Sequence, residues 1–403
     1  MSGNKLQSPK SVKRILLVAG ARPDFIKLAP LYDALSSRLD AYKPTVVHTG
    51  QHYDKNMSDI FFEQLQLPKP DSNLGAGSGT HGLQTGTVLI EIEKLMLEQK
   101  PDLVIVFGDA NSTMAAAIAA VKLRIPVAHV EAGLRSNDWS MPEEINRVVA
   151  DTVSTLHFTT CEDANINLLR EGVGEDSIHF VGNIRIDSLR RLVPEADKLL
   201  VLSDLDVEPG KYTLVTIHRP GNVDDQDQLR KVVSMLDGLA SHAPVVFPVH
   251  PRTKRNLTDL ESTGNTVQIS DNPRIRLVEP LGYLEFLKLE KESAVVVTDS
   301  GGVQEETTCL GVPCLTVRQS TERPITITEG TNILLGLNPE RVIAFAREYL
   351  DGELPEKKRP LLWDGKTAGR IVEVLDRFFG GRDVSESADT VAVNHREVVR
   401  GNA

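Results

Sequence analysis

Short apolar runs rich in β-branched residues recur along this chain. Each ends at a polar or glycine-bearing turn and is followed by a helical pattern. The runs read as strands at Ile15–Ala19, Pro44–Thr49, Leu103–Phe107, Val127–Val130, Leu156–Thr159 and Ile178–Val181. The alternation then pauses between about Ile184 and Lys211, where Pro194, Pro209 and Gly210 occur. It resumes with strands at Leu214–Ile217, Val245–Val249, Ile275–Val278, Ala294–Val297 and Pro313–Val317. Helical spacing marks Thr87–Gln99, an alanine-rich stretch to Leu123, a segment opening at Pro142, another from Gln226, and Pro339–Leu350 and Thr367–Phe379. The polar segment 71–86 reads as a loop. Runs that are apolar throughout belong to strands buried on both faces, and strand–helix alternation with short links implies parallel sheets covered on both sides. The expected fold is therefore α/β, with two doubly wound Rossmann-like domains facing a cleft. Their expected limits are 13–185 and 186–365. A helix at 366–381 is expected to pack back toward the first domain, with disordered tails at 1–12 and 382–403.

One stretch stands out, Thr298-Asp299-Ser300-Gly301-Gly302-Val303-Gln304-Glu305-Glu306. A buried strand leads into it and a helix leads out. Glycines let a ligand approach the backbone, and the first N–H groups of a helix have no internal partner. Ser300 is placed to cap the helix or to bond a phosphate. This bend is read as the seat of a nucleotide sugar's diphosphate.

Composition narrows the alternatives. The chain has 403 residues, enough for two domains, and carries 45 basic against 56 acidic residues for a net charge of −11. That balance argues against a nucleic-acid or membrane-binding surface. Three cysteines without a Cys-x-x-Cys pair argue against a disulfide framework or structural zinc site. The polar N-terminus is not read as a signal peptide, and no apolar run approaches the roughly 20 residues of a membrane span. The expected location is cytoplasmic. No Gly-x-Gly-x-x-Gly follows an early strand and no histidine–carboxylate cluster has zinc spacing, so neither a cofactor nor a metal is expected.

In such sheets ligands bind beyond the carboxyl ends of the strands. The polar residues there are Arg22, Lys27, Gln51, His52, Asp109, Glu131, Arg135 and Glu143 in the first half. The second half offers His218, Arg219, His250, Arg252, Ser300, Gly301, Gly302, Glu306 and Arg323. Cations, carboxylates and histidines around one cleft suit an anionic substrate and proton transfer. Simpler readings stand beside these. Arg22 and Lys27 fit a solvated helix face equally well, Asp109 fits a helix cap, and Glu143 fits a first-turn acid. Glu131 is harder to explain away, because a carboxylate at the end of the apolar run Val127–Val130 is costly unless used. His129 reads as a packed residue, and Cys309 and Cys314 as small core residues.

At these residues the chain resembles the non-hydrolysing UDP-N-acetylglucosamine 2-epimerases. The resemblance runs from about Ile15 to Gly336. Its motifs include Gly20-Ala21-Arg22-Pro23, Thr49-Gly50-Gln51-His52, Gly108-Asp109, the stretch His129–Arg135, Pro142–Arg147, His218-Arg219, Asp299–Glu306 and Thr321-Glu322-Arg323-Pro324. It implies a glycosyltransferase-B-like fold with UDP held by the second domain, interconversion of UDP-GlcNAc and UDP-ManNAc, and a homodimer. The family's nucleotide contacts fall on Arg22, His218, Phe286, Ser300, Gly301, Gly302 and Glu306. Its essential polar residues fall on Lys27, Asp109, Glu131, Glu143, His218 and Arg323. Ile325, Gly221 and Leu281 depart from the usual pattern. Some bacterial members bind a second UDP-GlcNAc as activator. Gln51 and His52 match that site, but the absence of Arg in 71–86 argues against it. The Gly20–Lys27 start also resembles the branch acting on UDP-2,3-diacetamido-uronic acids.

The implied chemistry is elimination. The sugar C2 proton has no adjacent carbonyl to acidify it, so UDP leaves C1 as a base takes that proton, giving 2-acetamidoglucal. UDP then adds back after protonation on the other face. Crowded acids in a closed cleft are expected to have raised pKa values. A hydrolysing epimerase, a glycosyltransferase of the same architecture and a non-catalytic nucleotide-sugar sensor remain rival readings.

Overall fold

The computed structural model describes residues 11–50, 62–262, 264, 268–352 and 359–380. Two parallel sheets organise them. The first contains β1 (Lys13–Ala19), β2 (Tyr42–His48), β3 (Ser72–Asn73), β4 (Leu103–Phe107), β5 (Val127–Ala132), β6 (Leu156–Thr159) and β7 (Ile178–Phe180), in the order β3-β2-β1-β4-β5-β6-β7. The second contains β8 (Thr213–Thr216), β9 (Val245–Pro248), β10 (Ile275–Val278), β11 (Val295–Thr298), β12 (Cys314–Thr316) and β13 (Asn332–Leu334), in the order β10-β9-β8-β11-β12-β13. Strand order reverses at β1/β4 in one sheet and at β8/β11 in the other. Those are the switch points where doubly wound sheets open a crevice. Ile15 pairs with Leu103 across the first, and Thr213 with Val295 across the second.

The strand residues explain themselves. Leu103–Phe107 and Val295–Thr298 are buried at every position, as strands covered on both faces must be. Ile15, Leu17, Leu28, Leu31 and Phe107 build one core, and Val215, Val232, Leu236, Phe247, Val297 and Leu315 build the other. The helix Thr367–Gly380 adds Ile371, Leu375 and Phe379 to the first core. Just before it, Trp363 Nε1 donates to the Thr160 carbonyl at 2.9 Å.

Two expectations change. The segment beginning at Ile184 is no pause in the alternation but a helix, Ile184–Ala196, with Pro194 inside it. Asn183 caps it by accepting from the Arg185 N–H, and Ile184, Ile186, Leu189 and Leu192 pack into the first core. That burial outweighs the one backbone hydrogen bond the proline removes. The helix expected from Thr87 begins instead at His81, where the Thr80 hydroxyl accepts from Leu83 N. Residues 81–86, read as the end of the loop 71–86, are its first turns, while 74–80 stay non-helical. Strands β3 and β13 are too short to show in the apolar pattern.

Candidate active site

The carboxyl ends of both sheets face one cavity of ≈ 420 Å³. Arg22, Lys27, Asp109 and Glu143 line it from the first half, and His218, Phe286, Ser300, Gly301, Gly302, Glu306 and Arg323 from the second. A neighbouring cavity of ≈ 910 Å³ shares Glu143, His218 and Arg219 with it. His250 lies outside both linings, exposed at the end of β9. Gln51 and His52 fall outside the described residues. Among the described residues no group of His, Cys, Asp and Glu is arranged to hold a metal ion.

The glycine bend follows β11 directly. Gly301 and Gly302 open the helix Gly301–Leu310, leaving its first N–H groups at the cavity wall. Ser300 occupies the cap position, yet its hydroxyl makes no capping bond; its N–H donates to Thr298 Oγ1 at 2.9 Å. Space rather than backbone geometry favours glycine here. A Cβ on Gly302 would sit 2.7 Å from the Arg185 guanidinium carbon, and one on Gly301 would collide with Arg323 and Glu322. The glycines thus let two arginines crowd the helix start.

Asp299, fully buried beside that bend, arranges the loop after β8. Its carboxylate accepts from His218 N (3.1 Å), Arg219 N (2.8 Å) and Asn222 Nδ2 (2.9 Å), and faces His218 Nδ1 at 3.3 Å. This fixes the His218 ring between the two cavities.

In the first half, Asp24 accepts from Gly20 N and Ala21 N, closing the turn that opens the helix Arg22–Ser36. That helix delivers Lys27, whose ammonium lies 2.5 Å from Glu131 Oε2. Glu131 sits at a register shift in β5 with φ +71°. A left-handed backbone costs a non-glycine residue about 1 kcal/mol or more and turns the side chain off the strand's normal alternation. The carboxylate is buried behind Lys27 rather than on the cavity wall, and its Oε1 has no hydrogen-bond partner.

Between the halves runs an ionic lattice. Arg147 joins Asp109 (2.5 Å) and Glu144 (2.6 Å), and its guanidinium reaches Glu322 at 3.9 Å. Arg323 bonds Glu322 and lies 2.8 Å from Glu305. Arg185 lies 3.3 Å from Glu305 and 3.0 Å from Glu306. These cations overturn the expectation of raised pKa values. Burial pushes Glu131 up, but Lys27, Arg323 and Arg185 together hold it below the usual carboxylate range. Asp109 is likewise raised by burial and brought down further by Arg147, Lys27 and Arg323. Asp24 and Glu305, beside these two, are instead held above their ordinary range, because burial wins over Lys27 and over Arg323.

Sequence reasoning missed Arg185, Tyr283 and Glu322, all on the cavity wall. Glu322 lay inside the Thr321–Pro324 motif and was recoverable. Arg185 fell in the segment read as a gap. His129, read as packed, is fully buried between Asp151 (2.6 Å) and the Gly108 carbonyl (2.7 Å).

Comparison with known proteins agrees with this geometry. The UDP-N-acetylglucosamine 2-epimerase family model matches residues 36–376. The UDP-N-acetylglucosamine 2-epimerase of Methanocaldococcus jannaschii is 45% identical over 368 residues, covering 90% of this chain and 98% of that protein. The UDP-2,3-diacetamido-2,3-dideoxy-D-glucuronate 2-epimerase of Pseudomonas aeruginosa is 40% identical over 365 residues, 90% of this chain and 99% of that one. The crystal structure of the M. jannaschii enzyme in complex with UDP-GlcNAc and UDP superposes with a TM-score of 0.82 at 44% identity, over 90% of this chain and 99% of that one. With two glycosyltransferase-B-like halves closing on a glycine bend and a set of acids, this chain belongs to the UDP-N-acetylglucosamine 2-epimerase family.

Proposed function

We propose that the chain interconverts UDP-GlcNAc and UDP-ManNAc by inverting C2, through loss of UDP to 2-acetamidoglucal and its re-addition. The observation that carries this reading is the shared cavity with a helix start on one wall and Lys27, Asp109 and Glu143 on the other. The N–H groups of Gly301 and Gly302, Ser300, Arg22 and His218 take the diphosphate, whose charge grows as C1–O breaks; donors set in advance favour that charge. Burial lowers Arg22 from its ordinary value, so its guanidinium is partly desolvated on the cavity wall. Phe286 stacks on the base. Glu306, which can only accept hydrogen bonds when ionised, suits ribose hydroxyls rather than phosphate. Proton transfer falls to Glu131, Asp109 and Glu143. Glu131, ionised at neutral pH with one oxygen unpartnered, has the protonation state of a base. Arg323 and Lys27 stabilise the charge around it.

The assembly we infer is a homodimer. Leu83, Ile90 and Leu97, seven residues apart on the helix His81–Gln99, are 61%, 52% and 57% exposed. They form one apolar stripe that a second copy would cover. All three cysteines are free thiols, which suits a reducing cytoplasm. No helix among the described residues is long and apolar enough to cross a membrane.

The test is incubation with UDP-GlcNAc in heavy water, followed by NMR of the sugar C2 position. UDP-ManNAc should appear with deuterium at C2 and no added acceptor. Free ManNAc with UDP would assign a hydrolysing epimerase, and no turnover without an acceptor would assign a transferase. Exchange confined to UDP-2,3-diacetamido-uronic acid would move the substrate to that branch.

A further inference from the structure

The helix Tyr283–Glu292 carries an acid that the chemistry above does not use. Glu290 is fully buried, and neither of its carboxyl oxygens has a hydrogen-bond donor from the rest of the protein. An ionised carboxylate in such a place would cost several kcal/mol. Its neighbour within hydrogen-bonding reach is another carboxyl group, Glu306. Glu306 already accepts from Arg185 Nη1 and from the Tyr283 hydroxyl, each at 3.0 Å. Two acids in contact with one shared arginine cannot both be ionised at modest cost. A proton on Glu290 removes its buried charge, lets one of its orphaned oxygens donate, and gives Glu306 a third hydrogen bond.

We propose that Glu290 is a positioning residue, held as a neutral acid that donates its O–H to Glu306 and, with Arg185 and Tyr283, fixes the one carboxylate presented to the nucleotide. The charge assignment follows from the surroundings. Glu306 keeps the negative charge because Arg185 and Tyr283 serve it directly. Glu290 keeps the proton because it faces Glu306 and Cys309 from the helix Gly301–Leu310 and Cys314 from β12, with Arg185 opposing them. Tyr283, on its own helix, stays protonated under the same burial and the same two acids. Burial first, and then Glu306, push the Glu290 carboxyl well above the usual range. Being an acid with a raised value, it is protonated at neutral pH and loses its proton only as pH rises through that value. Nucleotide affinity should therefore fall on the alkaline side, when Glu290 becomes a second anion pressed against Glu306.

This inference rests on Glu306 meeting the ribose, so the experiment separates the two. UDP binding to the intact enzyme is measured by calorimetry from pH 6 to 9.5 for the wild type, Glu290→Gln and Glu290→Leu, with thermal denaturation confirming that each variant folds. Glutamine keeps a donor and cannot ionise; its affinity should match the wild type at pH 7 and lose the alkaline decline. Leucine removes the donor and cannot ionise, so it should weaken UDP roughly tenfold at pH 7, the loss of about one charge-assisted hydrogen bond, and show no alkaline decline. An alkaline decline that persists in Glu290→Gln, or a leucine variant that binds as the wild type does, overturns the proposal. A separate arm uses 2′,3′-dideoxy-UDP. If the wild type binds it as tightly as UDP, the ribose reading of Glu306 fails, and this proposal with it, whatever the Glu290 variants show.

Discussion

Replacing Asp299 with Asn should unfasten the loop that places His218, at a cost that can be worked out from its hydrogen bonds. The buried carboxylate accepts two backbone N–H groups and one side-chain amide, at 2.8–3.1 Å. An asparagine can aim its one oxygen at Arg219 N and Asn222 Nδ2. Its amide nitrogen then replaces the oxygen that His218 N–H reaches at 3.1 Å, leaving that N–H to share the remaining oxygen with Arg219 N and Asn222 Nδ2, and is itself a buried donor facing a donor. At least one charge-assisted bond is lost, worth about 1.5–3 kcal/mol, and a buried donor is stranded for about 1–3 kcal/mol more. A net loss near 3 kcal/mol is expected, which for folded units of this size corresponds to roughly 6–12 °C in Tm. Because His218 and Arg219 line both cavities, the KM for UDP-GlcNAc should rise at least tenfold, alongside the thermal effect. Calorimetry and initial-rate kinetics on the same preparation check both. A variant within 2 °C of the wild type and within twofold in kcat/KM would refute the idea that Asp299 organises this loop.

Glu131→Gln should reduce C2 deuterium exchange by about a thousandfold, the scale of a positioned base, while UDP affinity measured by calorimetry stays within threefold; full exchange would remove Glu131 from the chemistry. Ile90→Glu places a charge in the middle of the Leu83–Leu97 stripe and should convert a dimer to monomer in sedimentation, with thermal stability otherwise near wild type. The acid side of the pH–rate profile should be flat down to about pH 5. Asp109 and Glu131 have folded values below their unfolded ones, so the ion pairs they make are present above the unfolded value and disappear only as pH falls through the lowered one. A limb near pH 6 that vanished in Glu131→Gln would contradict that direction.

The resemblance at Gly301 and Gly302, at Asp109 and at Glu131 could be read from the chain because each sits at the end of an apolar run, and in a doubly wound sheet that position is also the position of the ligand. Arg185 could not be read the same way. Its helix holds Pro194, a local signal for a break, and only packing of Ile184, Ile186, Leu189 and Leu192 against the first sheet decides otherwise. Glu290 was equally hidden, since a glutamate within Tyr283–Glu292 looks like a solvated surface residue until the neighbouring helix is laid over it.

By itself, then, the order of residues determined two parallel sheets, their switch points and the loops that would meet a nucleotide sugar. These depend on local periodicity and on which residues follow each strand. Tertiary structure alone decided the charges. The cations that hold Glu131 ionised come from positions 27, 185 and 323, and the acid that Glu290 faces comes from the next helix. Coulomb interactions depend on distance in space and on burial, and neither can be counted along the chain.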